Sequence, residues 1–144
     1  MCYSVTTTTD EVIITTVVVV DGIPFTIKIQ GGTDLISSDV IRGYNDTIIL
    51  YLLLEGDSYG YEISKNIREL SDEKYIMKET TLYSAINRLE DNGYIESFYG
   101  DETFGKRRTY YRITPSGLAY YKEKCKEWEL TQDVINRFIK EWSE

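Results

Sequence analysis

Between Lys78 and Arg112 the chain carries polar and basic side chains at spacings that suit contact with nucleic acid. Apolar residues recur there at i, i+3, i+4 and i+7, which predicts a helix that packs on a core through one face. These apolar residues are Leu82, Ala85, Ile86 and Leu89. The other faces offer hydroxyls, an amide, a phenol and a guanidinium, which can pair with base edges and phosphate oxygens. The candidate contacts are Lys78, Thr80, Thr81, Tyr83, Ser84, Asn87 and Arg88. Taken alone, the same periodicity also fits an ordinary solvated helix face.

A basic hairpin is predicted directly after this helix. Asn92-Gly93 ends the helix, with glycine as the expected left-handed residue. Residues 94–99 and 109–113 have strand-like composition, and the reversal between them has a glycine at each end. Lys106, Arg107 and Arg108 lie at its tip or on the returning strand. A helix with a polar outer face followed by a basic hairpin is typical of a winged helix-turn-helix. In that fold the helix enters the major groove and the wing touches the flanking backbone.

The residues of this stretch also resemble a known family. TLYSAINRLEDNGYI, followed by FYGDETFGKRRTYYRITPSG, closely resembles the PadR family of bacterial transcriptional regulators, over residues 35–142. The resemblance implies a DNA-binding regulator that acts as a dimeric repressor. It also implies a mainly α fold with a small β wing, in which residues 35–113 form the winged helix-turn-helix.

Composition limits the other possibilities. A chain of 144 residues with 42% hydrophobic and 28% charged residues predicts a globular domain with a real core. The net charge of −8 argues against indiscriminate binding to nucleic acid and predicts salt-sensitive affinity. Two cysteines and no histidine predict neither a disulfide framework nor a zinc site, and we expect no cofactor. A reducing, cytoplasmic setting and no membrane helix are the simplest expectations.

Residues 1–34 differ in character from the rest. Residues 11–20 are strongly β-branched, Asp21-Gly22 is a hairpin-turn signal, and residues 23–30 alternate again. We predict a β-hairpin joined to the regulator through Gly31-Gly32. The segment has no recognised counterpart in the family, so one hypothesis is that Leu35 is the true start of translation. Mass spectrometry of the native protein would test this, because a peptide from residues 1–34 would refute it.

A helix is predicted from Ser37-Ser38 to about Leu54 and a second from Ser58. Thr114-Pro115 then begins a long C-terminal helix, residues 114–144, that runs towards Trp142. Its apolar residues recur at steps of three and four, which predicts a coiled-coil-like seam. The seam comprises Leu118, Tyr121, Cys125, Trp128, Gln132, Ile135, Phe138 or Ile139, and Trp142. Because a winged domain is compact without this helix, we expect the seam to pair with a second copy. A homodimer with two-fold symmetry suits a palindromic operator.

The resemblance also implies a role for Trp128. In the multidrug-binding branch of the family, a tryptophan at this point faces its symmetry mate and stacks flat aromatic drugs. The expected effector and dimer-interface residues are Trp128, Tyr121, Cys125, Ile135 and Trp142. The alternative is that Trp128 simply fills the core of the dimer.

A second class of function remains open, a winged-helix module that binds other proteins and has lost its affinity for DNA. The acidic charge and the N-terminal hairpin would suit such a role. An enzyme is not expected, because the sequence contains no histidine, cysteine dyad or phosphate loop in a recognisable frame.

Overall fold

The computed structural model describes residues 2–8, 11–20, 23–31, 35–103 and 106–140, with side chains described for residues 35–101 and 107–140. Contacts divide the chain into two units, Met1–Ile36 and Ser37–Glu144. Among the helices within the described ranges, none combines the length and apolarity needed to cross a bilayer.

The first unit is a three-stranded antiparallel sheet. Its strands are β1 (Cys2–Thr8), β2 (Glu11–Val20) and β3 (Ile23–Gly31), in the order β1-β2-β3. The predicted hairpin corresponds to β2 and β3, whereas the predicted Asp21-Gly22 turn and Gly32 of the predicted linker lie outside the described residues. Strand β1 was not predicted, although its threonines and valine carry the same β-branched signal as the strand it pairs with. Gly31, expected in the linker, lies at the end of β3.

The helical unit begins with two short segments rather than the single long helix that was predicted. Helix α1 (Ser38–Ile41) is capped by Ser37, whose hydroxyl accepts a hydrogen bond from the Val40 amide at 3.5 Å. A 3-10 turn (Arg42–Tyr44) follows, and helix α2 spans Asn45–Leu54. The interruption contains Gly43, a residue with low helix propensity.

The helix-turn-helix pair follows. Helix α3 spans Gly60–Leu70 and helix α4 spans Glu79–Asp91. The predicted start of α3 at Ser58 was two residues early. Ser58 and Tyr59 instead form a short strand, β4, which pairs with Tyr111 and Tyr110. The pairing partners lie more than 50 residues away, so nothing in the local sequence indicated this strand.

The wing consists of β5 (Ile95–Thr103) and β6 (Lys106–Ile113). With β4 they form a three-stranded antiparallel sheet in the order β4-β6-β5. Helix α5 spans Pro115–Asn136, and the hydroxyl of Thr114 accepts a hydrogen bond from the Gly117 amide at 3.1 Å. The helix ends well before Trp142, which lies outside the described residues.

The core is formed by α2, α3, α4 and the wing. Its largest fully buried side chains are Ile49, Leu50, Ile63, Leu82, Ile86, Leu89 and Ile95. The start of α5 belongs to this core too. Gly117 lies so close to Tyr94 that an added Cβ would stand 2.0 Å from the Tyr94 carbonyl oxygen. The rings of Tyr94 and Tyr120 stack with centroids 4.2 Å apart. The first turns of α5 therefore pack on the winged domain of their own chain, which the sequence analysis did not anticipate.

Candidate nucleic-acid interface

Helix α4 separates an apolar inner face from a polar outer face. The buried residues are Leu82, Ala85, Ile86 and Leu89, as the spacing predicts. Thr80, Ser84 and Asn87 are exposed, and Thr81 is half-buried. The helix ends at Asp91, directly before the predicted stop at Asn92-Gly93, and the φ of Gly93 is +74°. Exposed Lys78 immediately precedes the helix, and its carbonyl accepts a hydrogen bond from the Leu82 amide.

Tyr83 lies on the flank of α4 that faces α3. A Cβ at Gly60 would stand 2.6 Å from the Tyr83 hydroxyl, so the phenol in this position lies directly against the start of α3. An open groove of about 280 Å³ lies here between α3, α4 and β6. It is lined by Tyr59, Gly60, Tyr61, Tyr83, Arg108, Thr109 and Tyr111. Tyr61 is largely exposed beside this groove and was not among the predicted contacts.

Arg88 is held at the opposite flank of α4 by a carboxylate. Its Nε donates to Asp46 Oδ2 at 3.1 Å, and its second Nη donates to Asp46 Oδ1. This hydrogen bonding raises the pKa of the Arg88 guanidinium above its ordinary value, so the group stays charged. The pairing uses one edge of the guanidinium and leaves the donors of the other Nη for a further acceptor.

A shallow depression of about 270 Å³ runs along this flank of α4. It is lined by Arg42, Asn45, Thr80, Thr81, Ser84, Ala85 and Arg88. The predicted contacts Thr80, Thr81, Ser84 and Arg88 therefore lie together. Arg42 joins them from the 3-10 turn and pairs with Asp39 at 3.0 Å. It was missed because its place beside α4 depends on tertiary packing.

The basic residues of the wing occupy different positions. Arg107 is exposed, whereas the side chain of Lys106 lies outside those described. The guanidinium carbon of Arg108 lies 4.0 Å above the centre of the Tyr59 ring. Arg108 is thus held against the sheet by a cation–π contact.

Four of the predicted effector and interface residues lie in the described part of the chain, and they divide into two packed and two exposed side chains. Tyr121 packs on the core, and burial raises the pKa of its phenol. Cys125 is half-buried. Trp128 and Ile135 are exposed, at 42% and 51%. Trp128 meets Tyr44 edge to face with centroids 4.9 Å apart, beside a small cavity of about 120 Å³. Tyr44 was not predicted to take part.

Comparison with known proteins gives the family. The model of the transcriptional regulator PadR-like family matches residues 49–123. An uncharacterised protein of Lysinibacillus sphaericus is 47% identical over 105 residues, which are 73% of this chain and 96% of the relative.

Two solved structures of transcriptional regulators are similar to this chain in sequence and fold. A transcriptional regulator from Clostridium thermocellum is 74% identical with a TM-score of 0.69, and the match covers 74% of this chain and 100% of that one. A PadR family transcription regulator from Clostridium difficile R20291 is 38% identical with a TM-score of 0.59, covering 67% and 98%. With its winged-helix fold and the polar outer face of α4, this chain belongs to the PadR-like family of transcriptional regulators, which act by binding DNA rather than by catalysis.

Proposed function

We propose that the protein is a dimeric repressor that binds a palindromic operator, with α4 in the major groove and the wing on the flanking backbone. The observation that carries the proposal is the outer face of α4, where Thr80, Ser84 and Asn87 are exposed while the apolar stripe is buried. Hydroxyls and a carboxamide on a rigid helix suit base edges, and an asparagine can pair with adenine through two hydrogen bonds.

The residues around this face would supply contacts to phosphates. Lys78 stands before α4, and Arg107 and Lys106 lie on β6. Contacts to phosphate fix the register of a protein on the duplex without reading its sequence. The acidic net charge of −8 limits non-specific attraction, so affinity for other sequences is expected to be weak and to fall steeply with salt.

The second half of α5 supports the proposal of a homodimer. Large apolar side chains are exposed from Trp128 to the end of the described chain. They are Trp128, Leu130, Val134, Ile135, Phe138 and Ile139. An apolar face of this kind is typical of a surface that is buried in an assembly. A second copy related by a two-fold axis would cover it and would present two α4 helices to two half-sites.

A flat aromatic effector at the dimer interface is the finer part of the proposal. Trp128 and Tyr44 already form an aromatic corner, and an indole is a large, polarizable surface for stacking. The sequence contains two tryptophans, so Trp142→Phe makes Trp128 the sole indole reporter. Titration of this variant with planar aromatic dyes should quench its fluorescence saturably. Unchanged fluorescence would refute an effector site at Trp128.

The operator can be sought without knowledge of the regulated gene. We expect selection from a library of random duplexes to enrich a sequence with two inverted half-sites about one helical turn apart. The same selection with Asn87→Ala should relax the preference at one position of each half-site. Enrichment of no sequence by the folded protein would contradict the proposal.

Because the proposed partner is DNA, we expect the protein to be located in the cytoplasm.

A further inference from the structure

We propose that Asp57 and Arg112 are positioning residues that hold the wing at a fixed angle to the recognition helix α4, and that this angle sets how much the wing adds to DNA affinity. The inference rests on the proposed function. Neither residue belongs to the predicted DNA-binding set. Both would act on DNA binding indirectly, by holding the strands of the wing in place.

The physical basis is a continuous stack of side chains on the outer face of the wing sheet. The Arg108 guanidinium carbon lies 4.0 Å from the centre of the Tyr59 ring. The rings of Tyr59 and Tyr110 meet edge to face with centroids 5.4 Å apart. Tyr110 stacks on Phe98 at 5.8 Å, and the Arg112 guanidinium carbon lies 4.6 Å from the centre of the Phe98 ring. We call this set the outer stack: Arg108, Tyr59, Tyr110, Phe98 and Arg112.

The outer stack covers all three strands of the sheet. Tyr59 belongs to β4, Phe98 to β5, and the other members to β6. Tyr110 also lies over Gly100, where an added Cβ would stand 2.3 Å from a ring carbon. On the opposite face of β6, Tyr111 is buried in the core. The sheet is therefore held from both sides, by the core beneath and by the outer stack above.

Asp57 ties one end of the stack to the helix-turn-helix. The Arg112 Nε lies 3.1 Å and 3.2 Å from the two carboxylate oxygens of Asp57, and an Arg112 Nη donates to Oδ2 at 2.7 Å. Asp57 directly precedes β4, which leads without a break into α3. The pair thus links β6, the central strand of the sheet, to the segment that begins the helix-turn-helix.

The second carboxylate near Arg112 contributes less. Glu96 approaches an Arg112 Nη only to 3.9 Å, and both side chains are at least half exposed. The forked pair with Asp57 and the contact with Phe98 together fix the plane of the guanidinium. A lysine would keep the charge but lose both the fork and the planar stack. This difference separates a positioning role from a purely electrostatic one.

The test compares two duplexes, the full operator with its flanks and a shortened one that keeps only the half-sites read by α4. Wild-type protein should prefer the flanked duplex, because only that duplex meets the wing. In Asp57→Asn and in Arg112→Lys this preference should fall roughly tenfold, while affinity for the short duplex stays within about twofold. The matched control is Glu69→Gln, which removes the carboxylate of another exposed pair, with Lys65 at 3.8 Å on α3.

Each outcome decides the proposal. An unchanged preference for flanks in both variants would overturn it. An equal loss of affinity for both duplexes would also overturn it, since that pattern reports general destabilisation. If wild-type protein binds neither duplex, the proposed function fails, and amide hydrogen exchange then tests the wing independently of DNA. Asp57→Asn should speed exchange in residues 95–101 and 107–113 relative to α4, and unchanged exchange would overturn the positioning role.

Discussion

Arg88 of the recognition helix and Asp46 of α2 are joined side-on by two hydrogen bonds, one from Nε at 3.1 Å and one from Nη. The two residues that precede Asp46 are also engaged. Tyr44 meets Trp128, and the buried Asn45 accepts a hydrogen bond from Tyr75 at 2.8 Å. Residues 44–46 therefore connect α5, the segment before α4 and α4 itself.

The first prediction concerns Arg88. Arg88→Lys keeps the positive charge but loses the forked pairing that aims the side chain. We expect discrimination between the operator and a single-base mismatch to fall by about 1–3 kcal/mol, with an almost unchanged salt dependence. Competition titrations at several salt concentrations would measure both quantities. Full discrimination in the lysine variant would argue that Arg88 does not read a base.

The second prediction concerns the wing. The double variant Lys106→Ala with Arg107→Ala should weaken binding to all sequences alike. The slope of log affinity against log salt should fall by about 1 for each phosphate that the variant no longer neutralises. The matched control is Lys122→Ala with Lys126→Ala, which removes two exposed lysines of α5. An unchanged slope in the wing variant would count against contact between the wing and the backbone.

The third prediction concerns the hydrogen bond from Tyr75 to Asn45. Both residues are buried, so Tyr75→Phe leaves the amide oxygen of Asn45 without its donor. Urea unfolding should show a loss of about 1–3 kcal/mol. Tyr61→Phe is the control, because Tyr61 is 72% exposed. Equal stabilities of the two variants would show that the buried bond contributes nothing.

The free energy of unfolding should also depend on pH because of Tyr75. Burial raises the pKa of Tyr75 above its ordinary value of 10.0, because the phenolate would lose hydration. The unfolded chain therefore releases this proton at a lower pH than the folded one. The corresponding stability is fully present below pH 10 and is lost as the pH rises through the folded pKa.

The fourth prediction concerns the exposed face of α5. Ile135→Asp places a charge among Val134, Phe138 and Ile139, and should shift the protein from dimer to monomer in analytical ultracentrifugation. Operator affinity should fall when the dimer is lost, because each half-site is then bound by a separate monomer. Leu70→Asp alters an apolar residue of α3 that is even more exposed, and should leave the mass unchanged. A dimeric Ile135→Asp variant would place the interface elsewhere.

The recognition helix was predictable from sequence because its signals are local. Four apolar positions, the stop at Gly93 and the following strands all lie within a few turns of one another. Strand alternation also accounts for the placement of Tyr110 and Tyr111 on opposite faces of β6.

Features that depend on distant partners were missed. Strand β4 exists because Ser58 and Tyr59 meet Tyr111 and Tyr110, and the ion pair of Asp57 with Arg112 joins residues far apart in the chain. Arg42 lies at the flank of α4 because of tertiary packing, which the local sequence does not indicate. Periodicity likewise marks the apolar residues of α5 but does not indicate that Tyr120 and Tyr121 pack on the core of their own chain.

The central claim is sequence-specific DNA binding, and a gel-shift titration of the purified protein against the DNA upstream of its own gene tests it most directly. The titration needs two salt concentrations and an excess of non-specific competitor. We predict a discrete complex that survives the competitor and weakens as salt rises. No complex at low salt, from protein shown to be folded and dimeric, would contradict this claim and favour a module that binds proteins instead.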